Sequence, residues 1–258
     1  MNDEILLIDK PAGMSSFGVV ARVRRKLSEQ AGVIEVKGKD GAVRQKRKKV
    51  KVGHTGTLDP FATGLLTLLT GRATKQANAF LKLDKEYITT IRLGATSSTG
   101  DIEGEIRPFA DEDQAGFFSG GSSLVSSVSD RIPAREEVDK AVASFVGEIE
   151  QTVPQYSAVK INGERAYKLA RAGKAVEMPQ RKVKIYEIEI LRYKWPELEI
   201  RCKVSSGTYI RTLGEDIGKK LGVGGYLTAL RRTKVGAYSV GGARQLGDFC
   251  LEERGEHN

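Results

Sequence analysis

Apolar positions along this chain repeat with two different periods, and the change from one to the other marks out its elements. Residues 6–9 read as a short strand, and Lys10-Pro11-Ala12-Gly13 turns the chain after it. Ser15 or Ser16 is placed to cap a helix running to about residue 27. Val19, Val20, Val23 and Leu27 recur in it at helical spacing, and Arg22, Arg24, Arg25 and Lys26 fall on its other face. Residues 33–37 and 42–44 flank Asp40-Gly41 as the arms of a tight-turned hairpin. The unbroken apolar run 65–69 reads as a buried strand. Residues 73–83 suit a helix with Ala73, Ala77, Phe80 and Leu81 on one face, and 87–93 alternate as a strand.

In the second half, residues 137–145 suit a helix that Gly147 ends. The Asn162-Gly163 turn precedes a helix over 164–172, with Gly173 as its cap. Strands are expected at 183–193 and 197–204, joined around Trp195-Pro196, and a helix over 208–221 stops at Gly222. Strands and helices mix without a βαβ rhythm. The expected class is therefore α+β, with a central, mostly antiparallel sheet flanked by helices and loops. No interdomain linker stands out, so one domain is expected over residues 1–250, followed by a polar tail at 251–258. Gly120-Gly121-Ser122-Ser123 and Ser126-Ser127 mark a flexible insertion at 110–131.

Composition, 40% hydrophobic and 29% charged, is that of an ordinary globular protein. No run approaches the roughly 20 apolar residues of a membrane helix. Ile5-Leu6-Leu7-Ile8, flanked by Asp3, Glu4 and Asp9, is too short and too acidic for a secretory signal. Cys202 and Cys250 form no CxxC pair, and Cys202 lies in a strand-like run as a buried thiol. A cytoplasmic protein is expected. Charge changes the picture more. The net formal charge is +9, and residues 35–51 hold eight cations (Lys37, Lys39, Arg44, Lys46, Arg47, Lys48, Lys49 and Lys51) against Glu35 and Asp40. Most of the excess is one local cluster, expected to meet a polyanion such as a nucleic acid.

Three residues are candidates for chemistry. Asp59 stands in Gly53-His54-Thr55-Gly56-Thr57-Leu58-Asp59-Pro60, before the buried run, where Pro60 biases it away from helix. Gly53, Gly56 and Gly64 allow close backbone approach around it. Tyr87 opens a strand in Lys85-Glu86-Tyr87. Arg211 lies in the first turn of a helix after Gly207, within reach of a carboxylate or phosphate. A His-rich metal site is implausible with only His54 and His257, and no phosphate-binding glycine loop or GxSxG elbow is present. Carboxylate chemistry on a nucleic acid, without metal or cofactor, is what remains.

Seven segments in order resemble the TruB family of pseudouridine synthases. They are Leu7-Ile8-Asp9-Lys10-Pro11-Ala12-Gly13-Met14-Ser15-Ser16, Gly53 to Pro60 as given above, and Gly71-Arg72-Ala73-Thr74-Lys75. Next come Lys85-Glu86-Tyr87, Pro154-Gln155-Tyr156-Ser157-Ala158-Val159-Lys160, Gly207-Thr208-Tyr209-Ile210-Arg211-Thr212 and Leu230-Arg231-Arg232-Thr233. The resemblance implies the pseudouridine synthase fold and isomerisation of uridine 55 in the TΨC arm of tRNA, with no cofactor and tRNA as partner. It implies that Asp59 is the catalytic aspartate, that Tyr87 stacks on the target base, and that Arg211 pairs with the aspartate. His54 and Tyr209 would contact RNA, Leu230 would lie near the pocket, and Lys10 and Pro11 would form a motif packed near the site, with Lys10 also counted toward RNA contact. Asp59 attacking ribose C1′ and Asp59 abstracting a ribose proton both stay open.

The sequence also departs from the family. Many bacterial members carry a small C-terminal RNA-binding domain of PUA type, and this chain ends about where that domain would begin. The basic segment at 33–51 looks inserted. Lys46, Arg47, Lys48 and Lys49 are expected to clamp tRNA phosphates partly in that domain's place. A monomer without an obligate protein partner is expected. The alternative readings are a noncatalytic tRNA-binding or tRNA-folding protein, and a guide-dependent synthase subunit.

Overall fold

A computed structural model describes residues 3–37, 40, 42–109, 131–161, 163–174 and 176–247. The expectations for Gly41, for residues 110–130, for Cys250 and for the tail fall outside these residues. The chain forms two compact units, Met1–Lys85 with Arg231–Asn258, and Glu86–Leu230.

The first unit opens with β1 (Ile5–Lys10) and α1 (Ser16–Gln30). Ser15 is the cap: its side chain accepts from Gly18 N at 3.0 Å, and Val19, Val20 and Val23 turn inward as their spacing predicts. Lys26 does not share the outer basic face, because it is buried with those valines. The hairpin is present. β2 (Val33–Lys37) pairs antiparallel with β3 (Val43–Arg47), which is longer than expected. The ladder ends with Lys37 opposite Val43, so the register is not that of a two-residue Asp40-Gly41 turn.

β4 (Val52–His54) and β1 flank β5 (Thr63–Thr70), both antiparallel to it. β5 is buried at every position after Thr63, which is why its apolar run is unbroken. Residues 73–83 are not one helix. Gly71–Gln76 winds as a 3₁₀ helix, and only α2 (Ala77–Leu81) is α-helical. The Thr74 hydroxyl donates to Gly71 O at 2.7 Å, taking a carbonyl that an α-helix would give to a backbone N–H. Ala73 and Phe80 pack with Leu69 and the Tyr238 ring, while Leu81 points outward.

The second unit takes up β6 (Lys85–Leu93) after its first residue, and the strand buries alternate side chains as predicted. β7 (Ala95–Ser97) and β8 (Ile106–Pro108) form a short ladder. α3 (Arg135–Ala143) starts earlier than expected because the Glu137 carboxylate accepts from Ala134 N at 2.9 Å. Gly147 does not end this helix; at φ +119° it opens β9 (Gly147–Thr152). β10 (Lys160–Ile161) and β11 (Glu164–Arg165) pair around Gly163, and α4 (Ala166–Arg171) is shorter than its pattern suggests. β12 (Gln180–Lys194) and β13 (Glu197–Val204) meet at the cis Trp195–Pro196 bond, and α5 (Ile210–Lys220) stops at Gly222.

One long strand, β14 (Gly225–Val235), has no forewarning in the pattern of the sequence. Gly224-Gly225 and Arg231-Arg232 interrupt the apolar alternation that would announce it. Its first six residues lie in the second unit, where the strand order is β14-β6-β13-β12-β9. Its end lies in the first unit, parallel to β5, with Arg231 opposite Thr63 and Arg232 opposite Gly64. β15 (Tyr238–Ser239) folds back on it, and β16 (Arg244–Gln245) runs parallel to β1. The sheet pairing is thus mixed and mostly antiparallel, and the class is α+β. No described helix is long and apolar enough to cross a membrane.

Candidate active site

Asp59 sits half-buried on a loop of the first unit that has almost no backbone freedom. All five carbonyls from Gly56 to Pro60 accept hydrogen bonds. Arg232 donates from Nη2 to Gly56 O at 3.1 Å and from Nη1 to Thr57 O at 3.5 Å. Ser16 Oγ donates to Leu58 O and accepts from Leu58 N, both at 2.8 Å. Ala62 N donates to Asp59 O at 3.2 Å. Gly13 N and Lys10 Nζ donate to Pro60 O at 2.8 and 3.1 Å. A carboxylate carried on such a loop is held in place before any substrate arrives, which is what electrostatic preorganisation requires.

The clamp depends on one close approach. Gly64 has φ +99°, and a Cβ there would stand 2.3 Å from Arg232 O. Only glycine lets β14 lie beside β5, where Arg232 Nε also donates to Leu65 O at 2.8 Å. Gly56 is at φ +152°, but Gly53 has open space around its Cα and no left-handed φ, so its backbone does not demand glycine. Lys10 is wholly buried, its ammonium also donating to Pro11 O at 2.8 Å and Met14 O at 2.6 Å. It braces the loop from inside, and a side chain so enclosed is not placed to reach an RNA phosphate.

Two more groups feel the buried Arg232 cation. Burial, then Arg232, lowers the His54 pKa, which favours the neutral ring, and its Nδ1 accepts from Gly56 N at 3.4 Å. Burial first, then Arg232, pushes the Lys85 ammonium down to about 8, although Asp84 opposes this and Lys85 donates to Leu81 O and Leu83 O. Asp9 is held by a bidentate pair from Arg231, at 2.7 and 3.1 Å, and by Gln245. Lys46 and Arg47 on β3, with Lys48 and Lys49 beyond it, are all exposed.

In the second unit, Arg211 is 5% exposed on the first turn of α5. It donates from Nη1 to Thr99 O and from Nη2 to Tyr156 O, both at 2.8 Å, and its Nε lies 3.6 Å from the buried Asp101 carboxylate. Two of the sequence segments, around Tyr156 and around Arg211, therefore meet at this guanidinium. Tyr209 is half-buried and begins the helix. The buried Gln151 amide holds its backbone by two bonds, at 3.0 and 3.2 Å, and the Arg181 guanidinium lies 5.9 Å from its ring. Tyr87 is buried on β6 and Leu230 is buried on β14. Cys202 is buried too; burial, with Glu86 adding, raises its thiol to about 12, so it is inert.

The family model for the N-terminal domain of TruB family pseudouridylate synthases matches residues 44–117 and 119–210. The model for the tRNA pseudouridylate synthase B C-terminal domain matches residues 211–251. The chain belongs to the TruB family. It is 46% identical over 207 residues to tRNA pseudouridine synthase B of Francisella tularensis, covering 79% of this chain and 63% of that protein. With tRNA pseudouridine synthase B of Phocaeicola vulgatus it shares 42% over 233 residues, 90% of this chain and 86% of that one. Among solved structures it resembles a chain of a Cbf5–Nop10–Gar1 complex, with TM-score 0.64 and 26% identity, covering 98% of this chain and 56% of that one.

Several residues that build this candidate site do not stand out in the sequence. Ser16 looks like a helix cap, yet its hydroxyl serves Leu58. Arg232 and Asp101 are not among the residues that sequence reasoning singles out. Its place in Leu230-Arg231-Arg232-Thr233, one of the seven segments of resemblance, is the available signal for Arg232. For Asp101 the signal is Thr99-Gly100-Asp101, a turn in which Asp101 Oδ1 accepts from the Thr99 hydroxyl at 2.6 Å and from Glu103 N at 3.0 Å.

Proposed function

We propose that this TruB family member is a tRNA pseudouridine synthase of the cytoplasm, acting alone on uridine 55 of the TΨC arm with Asp59 as its reacting carboxylate. The observation that carries the reading is the loop with all five carbonyls held from Gly56 to Pro60, because it makes Asp59 a preset group and not a mobile surface acid. The curated tRNA pseudouridine synthase B relatives support the substrate class.

The reaction is balanced without a co-reactant. The N1–C1′ bond of uridine breaks, the base turns, C5 joins C1′, and the proton leaving C5 is matched by one gained at N1. The target base must first leave its stack, at a cost of about a few kcal/mol. In this reading Tyr87 receives the flipped uracil, Arg211 keeps the carboxylate charged, and Asp59 attacks C1′ or takes a ribose proton. His54, held neutral, would contact the RNA as a hydrogen-bonding group and not as a cation.

The test is a stand-alone assay: purified protein, an unmodified tRNA transcript and no guide RNA, scored for pseudouridine. Wild type should convert the transcript, and Asp59→Asn should give no product while binding tRNA with an affinity close to wild type. An active Asp59→Asn enzyme would remove the mechanism. No product from wild type would remove the stand-alone activity and favour the RNA-binding or guide-dependent reading.

A further inference from the structure

We propose that the β2–β3 hairpin and its exit form an arm that grips the phosphates of the stem adjoining the target nucleotide; this rests on the isomerase reading above. Among the described residues, β2 and β3 pair with each other and with no other strand. Every described residue of the two strands is exposed except Val36, which is half-buried. A lone two-stranded ribbon is marginal in water. This one also leaves Val33, Ile34 and Val43 between 42% and 61% exposed, so burial does not account for its presence.

Register sorts its charges. Ile34 faces Lys46 and Val36 faces Arg44, so one side of the ribbon shows two cations and no acid. Two of the arm's cations are already used structurally: Arg44 pairs with Asp40, and Arg47 pairs with Glu29 of α1 at 3.3 Å, tying the arm to the helix. Among the described residues, Lys37, Lys46, Lys48, Lys49 and Lys51 form no ion pair. Five unpaired ammonium groups so close in sequence repel one another until a polyanion lies across them.

The anchorage of the arm says which polyanion. Lys48 N donates to Gly32 O, Val50 N to Ser28 Oγ at 3.1 Å, and Lys51 O accepts from Gly71 N at 2.9 Å. The chain then enters β4, which ends at His54, five residues before Asp59. A flexible tether would let the lysines bind any acid anywhere. This one sets them at a determined place at the far ends of α1 and β5 from the Asp59 loop, since Ser28, which holds Val50, lies 12 helical residues or ~18 Å from Ser16, which holds Leu58; there they meet the stem where it runs on beyond the target nucleotide. The contact is to phosphates and reads no base, as point-charge lysines dictate.

Replace Lys46, Lys48 and Lys49 together by Gln, and measure the Kd for a full-length unmodified tRNA transcript between 50 and 200 mM KCl. The slope of log Kd against log salt should fall by about two, at ~0.7–0.9 for each phosphate no longer neutralised, and the Kd at 50 mM should rise about ten-fold or more. The triple Lys→Arg variant should restore both, and the loss of kcat/KM should appear in KM. An unchanged slope overturns the proposal, as does a loss that the Arg variant does not restore. Scoring pseudouridine in the same samples separates the two readings. Product with an unchanged slope removes the arm alone, while a reduced slope without product from wild type keeps the arm and removes the isomerase.

Discussion

The Ser16 hydroxyl is the most economical place to test whether the loop's rigidity serves Asp59. In Ser16→Ala, the Leu58 N–H and C=O lose their partner together. Ser16 is 2% exposed and Leu58 3%, so neither group regains bulk water. A buried unsatisfied group costs about 1–3 kcal/mol, which gives ~2–5 kcal/mol for the two. Alanine returns a few tenths of a kcal/mol in helix propensity, because position 16 begins α1 and the cap at Ser15 is untouched. At about 2–4 °C per kcal/mol for a protein of this size, the melting temperature should fall by roughly 4–20 °C. The catalytic effect is separate. Leu58 directly precedes Asp59, and a displacement of about 1 Å in a positioned group can cost ~100-fold in rate. Single-turnover pseudouridine formation, run well below the lowered melting temperature, should therefore slow by about 10- to 100-fold while the tRNA Kd changes by less than about two-fold. A melting temperature within ~2 °C of wild type and a rate within ~3-fold would refute the reasoning. A large fall in melting temperature with an unchanged rate would show that Ser16 supports the fold and not the carboxylate.

Two further outcomes follow from named contacts. Gly64→Ala sets a Cβ against the Arg232 carbonyl at a positive φ, and should cost at least ~2 kcal/mol, read as a lower urea midpoint or a loss of soluble protein; a wild-type midpoint would remove the close approach of β14. Burial raises the Glu215 carboxyl above its ordinary value of 4.5, with Asp216 and Asp101 adding and Lys219 and Arg211 opposing. A raised folded pKa means the native state holds its proton longer than the unfolded chain, so this group's contribution to stability falls as pH climbs above about 4.5. Glu215→Gln should gain stability relative to wild type between pH 4.5 and 7 in paired urea titrations, and a variant that loses stability over that interval would show that the Lys219 and Arg211 attractions outweigh burial.

Elements whose pattern matches their surroundings are legible in the sequence alone. β5 is enclosed on both faces and reads as an unbroken apolar run, while β6 is enclosed on alternate positions and reads as alternation. β14 is not legible, because its side chains answer to partners far away in sequence: Arg232 to carbonyls 167 to 176 residues earlier, and Gly225 to the α5 backbone. The 73–83 segment misleads through a local competitor, the Thr74 hydroxyl, which periodicity does not register. At the site, the candidates Asp59, Tyr87 and Arg211 stand out by motif, whereas Ser16 reads as a helix cap, and Arg232 and Gln151 show no sign in their own neighbourhood of the distant backbone groups they hold. Lys10 invites an outward reading because lysines usually face water; a lysine donating to three carbonyls shows no mark of that in its own neighbourhood.

The Arg232 clamp bears on when the protein becomes competent during its synthesis. Asp59 and the loop around it are made early, with Ser16 and Lys10 already in hand. The cation that closes the carbonyls of Gly56 and Thr57 is Arg232, which joins the first unit only after the whole second unit has been translated. A growing chain thus carries Asp59, the carboxylate proposed to react, through most of translation on a half-secured loop. Contacts of such long sequence separation form late. Docking of the last long strand therefore acts as a completion step: it converts a chain that already carries Asp59 into one whose Asp59 loop is held still.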